Sequence, residues 1–304
     1  VSQSALLVLC AADPPAIEGA SPQTLRVAPA GFDPLSGWLT LLGQNPVARW
    51  RGRAPLALAA AGGVQAEDET AYLLTPVRVA GGRIEAALEL GPNTQREVLD
   101  HLEELLEDEV LTLRAGPLGP SLALAEEVPG PAQVAHELLA GRELDDLPAG
   151  PPELLTRLIR ASAEACSEAG RPRGATHLFP HGPAAADGFE PIREAWLGLT
   201  SAAFVGGPLA HALASLLGGT HWPARPDEVL QVAKSRTDDL VVAVEPESPT
   251  LLDLTGWDRL ALVSPPRPTA AGVDLTLRLR GAPPPTGVPV TEHLLAWALN
   301  RDPA

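Results

Sequence analysis

Three arginines fall within five residues: Arg49, Arg51 and Arg53. Guanidinium groups at this spacing could grip a phosphate or a carboxylate through paired hydrogen bonds. They could equally form a solvated basic rim or pair with an acidic surface. Histidines supply a second set of candidates. His177 and His181 stand either side of a strand end, and His211 and His221 flank Gly218-Gly219. Imidazoles of this group could hold zinc, but isolated histidines usually sit at the surface or satisfied in a core. Asp238-Asp239, just before an apolar run, is a further ligand pair or a loop terminator. Cys10 and Cys166 are the two cysteines. They build neither a disulfide framework nor a four-thiolate metal site, and both read as small buried hydrophobes.

The elements that must position these residues follow from apolar periodicity. Ala5–Leu9 is a continuous apolar run, as expected of a buried strand in a parallel sheet. Leu25–Val27 reads as a short strand. Residues 30–36 form a loop that opens towards an apolar run at Trp38–Leu42. Residues 54–61 read as helix, with Pro55 in the first turn. Strands at Ala71–Val79 and Arg83–Leu90 flank an Ala80-Gly81-Gly82 turn. The spacing of Val98, Leu99, Leu102, Leu105 and Leu106 predicts a helix over 93–109, with Thr94 and Glu97 as a capping box. Two strands follow, at Leu111–Arg114 and Ser121–Glu126. His136–Ala140 is a short helix candidate, and residues 152–170 a long helix.

From 173 the pattern alternates between strand and helix. Strands are expected at Thr176–Phe179, Ala202–Val205, Asp239–Val244, Arg259–Val263 and Val273–Arg280. Helices are expected at 191–198, 209–217 and 291–300. Such alternation predicts an α/β class, with a mixed, largely parallel sheet and helices on both faces. The β-β-α-β-β block inside it reads as an inserted α+β cap. The predicted division is a discontinuous core over 1–65 and 173–304, with the cap over 66–172.

The 304 residues carry 22 basic and 38 acidic side chains, a formal charge of −16. Such a chain repels nucleic acid and anionic membranes, so neither is expected as a partner. Residues 4–12 are too short to span a bilayer and lack a basic leader. The sequence therefore predicts a cytoplasmic protein.

The layout and the opening stretch together carry a family resemblance. Gly31-Phe32-Asp33-Pro34-Leu35-Ser36 is followed by Leu39-Thr40-Leu41-Leu42-Gly43-Gln44-Asn45-Pro46, then Arg51-Gly52-Arg53-Ala54-Pro55. These residues resemble G-F-x-P-x-S, N-L-S-x-L-G-Y-D-P and Y-x-G-R-x-P-x-E-A of the archaeal-type cofactor-independent (2,3-bisphosphoglycerate-independent) phosphoglycerate mutases. That family belongs to the alkaline phosphatase superfamily. His136-Glu137-Leu138 with Leu147-Pro148 resembles its H-D-I…L-P segment, and residues 174–182 resemble its P-A-N-x-I-W-L-W-G strand.

The resemblance implies an alkaline-phosphatase-like core with a cap, and a metal-dependent isomerase of glycolysis. In that chemistry a serine takes the phosphoryl group from 2- or 3-phosphoglycerate and returns it to the other oxygen. Two divalent ions, Mn or Zn, activate the serine and neutralise the phosphate. By position the nucleophile would be Ser36, and Arg53, His136 and Arg51 would contact the substrate.

The ligand positions depart from the family. Its first strand ends in Asp-Gly, where this chain has Cys10-Ala11-Ala12. Its nucleophile is followed by Asp, where this chain has Gly37. Its D-x-x-x-H segment is met by Pro246-Glu247-Ser248-Pro249-Thr250, and its D-H-S-T-P segment by Ser264-Pro265-Pro266-Arg267-Pro268. Leu73 and Thr75 stand where its cap arginine and asparagine belong, and the Y-R-H of its last cap strands falls on small and apolar residues around Pro120-Ser121. The expectation is a pseudoenzyme with no metal site and no cofactor, binding at most a small phosphorylated ligand. One alternative is an active mutase or phosphatase using two Mn or Zn ions, with relocated ligands. It requires Asp13, Asp33, Asp238, His177 and His181 to converge on Ser36. The other alternative is a regulatory or protein-binding module.

Overall fold

The computed structural model describes residues 5–18, 22–28, 35–42, 53–63, 68–125, 139–148, 150–185, 201–247, 254, 256–257 and 259–280. In chain order the strands and α-helices are β1 (Ala5–Leu9), β2 (Gln23–Ala28), α1 (Ser36–Leu41), α2 (Arg53–Ala60), β3 (Thr70–Ala80), β4 (Arg83–Ala87) and α3 (Pro92–Leu105). Then come β5 (Leu111–Arg114), β6 (Ser121–Leu124), α4 (Pro152–Glu168), β7 (His177–Ala185), β8 (Ala202–Gly206) and α5 (Pro208–Leu217). Next are β9 (Thr220–Pro223), α6 (Val229–Lys234), β10 (Leu240–Val244), β11 (Arg259–Val263), β12 (Arg267–Thr269) and β13 (Gly272–Arg280). They form two compact units. One comprises Val1–Ala30, Pro34–Ala48 and Glu190–Ala304; the other comprises Gly31–Asp33 and Arg49–Phe189.

The first unit is built on an eight-stranded sheet in the order β12-β13-β11-β1-β10-β8-β9, with β2 also paired to β13. The strands β11, β1, β10, β8 and β9 run parallel. β13 is antiparallel to β11, β12 and β2. Every residue of β1, β8 and β10 is buried, which is why these strands read as unbroken apolar runs. One face packs Leu6, Val8, Ala203, Val205, Val241 and Ala243 against Val229, Leu230 and Ala233 of α6. On the opposite face of β8, Phe204 lies over Gly219, just after α5. α5 ends as its sequence predicts, with Gly218 in the left-handed conformation at φ 77°. β9, α6 and β12 have no counterpart among the predicted elements. All three are short, and β9 and β12 are largely exposed, so they carry little apolar periodicity.

The second unit is a five-stranded antiparallel sheet, ordered β4-β3-β6-β5, with β7 on β3. α3 and α4 join it through one core that includes Tyr72, Leu99, Leu102, Leu122, Leu155 and Leu158. α2 packs Ala54, Ala57 and Leu58 against Ala71, Leu73 and Ala123. The β-β-α-β-β block is therefore present, and the unit is larger than its sequence outline. The boundaries drawn at 65/66 and 172/173 differ from the structural ones. α2 joins this sheet through its alanine face, and β7 pairs with β3 from Thr70↔Ala185 to Val77↔His177. A strand's apolar run does not say which sheet will receive it.

The capping box predicted for α3 does not form. The helix begins one residue earlier, with Gly91 as N-cap, Pro92 in the first turn and no side-chain cap. Proline presets the helical φ and lacks the N–H that a cap would satisfy. The helices expected at 191–198 and 291–300, and residues 136–138 of the 136–140 helix, lie outside the described residues; Leu139 and Ala140 are described and are not helical.

Candidate functional site

In an open parallel sheet, ligands bind outside the carboxyl ends of the strands. In the first unit those ends are supplied by β1, β10, β11 and β8. β1 runs into Cys10, whose N–H donates to the Val263 carbonyl at 2.8 Å. Cys10 is buried, and its thiol lies 3.8 Å from the Val8 carbonyl. Burial pushes this thiol up to about 12, and that of Cys166 up to about 11. A thiol so raised is protonated at neutral pH in the metal-free chain and is a poor nucleophile there. Both cysteines of the native protein should resist a disulfide reagent at pH ~7.5 and react fully once denatured. Reaction of Cys10 at the rate of a free thiol would contradict this placement.

β10 ends in Glu245, held in the left-handed conformation at φ 51°, with its N–H donated to the Leu9 carbonyl at 2.7 Å. β11 ends at Ser264. The Ser264 N–H donates to the Thr276 carbonyl at 2.9 Å, and the Thr276 N–H donates to Ser264 Oγ at 2.8 Å. The Ser264-Pro265-Pro266 segment thus bridges β11 and β12 along one side of β13, and the serine side chain replaces a lost ladder bond.

The same carbonyl end anchors α1. Trp38 Nε1–H donates to the Ser264 carbonyl at 2.9 Å, and Trp38 is buried. Gly37 lets the helix sit close to β2 and β13. A Cβ there would lie 3.2 Å from Val27 Cγ2 and 3.3 Å from Leu275 Cδ1. The glycine that stands where the resembled family has Asp is therefore a packing residue. Ser36 is the first residue of α1.

Asp13, just past the end of β1, is engaged by Arg267 of β12. Arg267 Nη2 lies 2.6 Å from both carboxylate oxygens. A neighbouring pair, Arg26 Nε–H to Asp274 Oδ1 at 2.9 Å, joins β2 to β13. Both arginines are largely exposed, so each pair contributes little to stability.

The convergence required by relocated metal ligands does not occur. Asp238 precedes β10, whose first residue is in register with Ala5, whereas Asp13 follows the end of β1. The five-residue strand between these ends alone spans about 13 Å. Asp238 instead lies 3.7 Å from Arg236, whose guanidinium carbon is 3.7 Å from the centre of the Trp222 ring. Asp239 and Ser201 bond reciprocally, each backbone N–H donating to the other's side chain, at 3.2 and 3.3 Å. These aspartates close the amino-terminal edge of the sheet.

His177 and His181 belong to the second unit. They stand four residues apart on β7, opposite Val77 and Leu73. That spacing is about 13 Å along a strand, too long for one ion. His181 is buried, with Nε2 2.6 Å from Thr75 Oγ1. His177 Nδ1 lies 3.0 Å from Thr176 Oγ1, and burial holds its pKa below the ordinary histidine range. The unfolded chain then takes up this proton first. The His177 contribution is complete above the unfolded value of about 6.5 and is lost as pH falls below it. His177→Gln should flatten the stability–pH slope below pH ~6.5, read from urea midpoints. An unchanged slope would remove His177 from this account.

Arg53 is the first residue of α2 and belongs to the second unit. Arg49, Arg51, His136 and Asp33 lie outside the described residues. Among the described residues, no group of three or more His, Cys, Asp or Glu side chains could hold a metal ion. The residues at the carboxyl ends of β1, β10 and β11 do not fit a two-metal centre. They are a buried neutral thiol, the Asp13 carboxylate already bound by a guanidinium, the single carboxylate of Glu245 and a Ser-Pro-Pro bridge, too few donors for two ions. The Asp13–Arg267 and Trp38–Ser264 contacts were not foreseen. Each joins residues more than 200 positions apart, and no local spacing signals them.

No protein-family model and no curated protein matches the chain. Solved structures are similar to it, among them two of known source. The PH0037 protein from Pyrococcus horikoshii aligns at 14% identity over 93% of this chain and 88% of its own, with a TM-score of 0.57. The cofactor-independent phosphoglycerate mutase from Thermoplasma acidophilum DSM 1728 aligns at 12% identity over 98% of this chain and 99% of its own, with a TM-score of 0.50. At such identities the likeness is one of fold: an α/β fold with a mixed sheet, shared with these two structures. Among the described residues, no helix is long and apolar enough to cross a membrane.

Proposed function

We propose that this chain is a divergent phosphoglycerate-mutase-like protein that does not carry out two-metal phosphoryl transfer. The observation that carries the reading is the Asp13–Arg267 pair at the carboxyl end of β1. A guanidinium stays protonated at all physiological pH, so Arg267 places a fixed positive charge beside this carboxylate. Cys10, buried at the same strand end, offers no thiolate in place of the missing carboxylate. Ser36 remains at the start of a helix anchored by Trp38, and among the described residues no group of three or more His, Cys, Asp or Glu could hold an ion to activate a serine nucleophile.

The scaffold can still serve as a binder of a small phosphorylated ligand, with Arg51, Arg53 and His136 as the candidate contacts. The test is interconversion of 3- and 2-phosphoglycerate, followed by phosphorus NMR with manganese in excess, beside a Ser36→Ala control. The expected result is no conversion by either protein. Conversion that Ser36→Ala abolishes would overturn the proposal. In the same samples, 3-phosphoglycerate should raise the melting temperature by mass action. No rise would leave the regulatory or protein-binding module as the better reading.

A further inference from the structure

The structure brings His211 and His221 together at the far edge of the first unit's sheet. His211 lies on α5 and His221 on the edge strand β9, both half-buried. Their ring centroids are 5.0 Å apart, with the planes at 61°. A tetrahedral ion holds each imidazole nitrogen at about 2.0–2.1 Å, which sets two ligating rings about 5 Å apart. His221 Nε2 is 3.0 Å from the Gly206 carbonyl, which can only accept, so Nε2 carries the proton and Nδ1 carries the lone pair. A backbone carbonyl that fixes the tautomer of a histidine in this way is the usual support behind a metal ligand.

The carbonyl is itself held firmly. It also accepts the Ala224 N–H at 3.2 Å, and Gly206 sits at φ 148°, where a Cβ would lie 2.7 Å from the Val244 carbonyl oxygen. The support therefore rests on the sheet rather than on a free loop. We propose that His211 and His221 form a two-histidine site for a borderline divalent cation of the Zn²⁺ class, with water completing the coordination. The ion would clamp α5 to β9. This site is separate from the strand ends of β1, β10 and β11, and it does not depend on the proposed function.

Equilibrium dialysis of the whole chain against zinc at neutral pH tests the proposal. One zinc per chain is expected. His211→Ala and His221→Ala should each weaken binding by about tenfold or more. Ser215→Ala should retain it, because that hydroxyl donates to the His211 backbone carbonyl and not to the ring. Thermal unfolding with and without zinc separates ligand loss from misfolding. The wild type and Ser215→Ala should melt higher with zinc, and the histidine variants should show no zinc-dependent rise whatever their own midpoints. Absence of bound zinc, or binding that both histidine variants preserve, would overturn the site and leave the two rings as an edge-to-face packing pair.

Discussion

Gly150→Ala should destabilise the second unit by about 2–6 kcal/mol. Two effects combine. Gly150 lies at φ 147°, where an L side chain costs about 1–3 kcal/mol. The added Cβ would also stand 2.2 Å from the Tyr72 hydroxyl oxygen and 3.1 Å from Leu155 Cδ1. Tyr72 and Leu155 are fully buried in the core that joins β3 to α4, so neither can swing aside freely. Overpacking of this kind costs about 1–3 kcal/mol. Gly141 supplies the control. It too has positive φ, at 88°, but open space surrounds the position of its Cβ. Gly141→Ala should therefore lose only the backbone contribution, about 1–2 kcal/mol. Urea unfolding of the two variants checks the difference. Equal losses would show that the Tyr72 contact does not constrain the fold.

Phe204→Ala should cost about 3–5 kcal/mol in the first unit. Phe204 is fully buried in β8, between β10 and β9, and its ring lies where Gly219 presents no side chain. Truncation leaves a cavity that the paired strands cannot close. If the chain unfolds in two transitions, this substitution should shift one and Gly150→Ala the other. A loss below about 1 kcal/mol would mean that the ring is not a core element.

These substitutions also mark where the sequence was informative. The β1, β8 and β10 strands were legible because a doubly covered parallel strand has no polar face to interrupt its apolar run. α3 and α4 were legible from 3.6-residue spacing, and α5 from its closing glycine. The start of α3 was misread because Thr94 and Glu97 fit a capping box, while Pro92 had already begun the helix. β7 was recognised as a strand but assigned to the wrong sheet, since its nine residues fit either partner by pattern alone. β9 and β12 are exposed edge segments, and their residues carry no burial signal.

For the candidate site, residue types conveyed more than spacing. The absence of carboxylates at Cys10-Ala11-Ala12 and of histidines at Ser264-Pro265-Pro266 was visible directly. What replaces them was not, because Asp13 meets Arg267 only once β1 and β12 are aligned through β11 and β13. Gly37 was read as a missing aspartate. The structure adds a positive reason for it, the close approach of α1 to Val27 and Leu275. The histidines considered as one zinc group divide between the two units. His181 is buried beside Thr75, and His211 meets His221 across α5 and β9.

The central proposal is that Ser36 receives no phosphoryl group, because Arg267 engages Asp13 past the end of β1 and a thiol and a Ser-Pro-Pro segment stand where ligands would be needed. The most direct measurement is the intact mass of the protein after rapid quenching from a mixture of manganese and 3-phosphoglycerate. Unmodified protein at every quench time is the predicted result. A phosphoryl adduct mapped to Ser36, and absent from Ser36→Ala, would contradict the account.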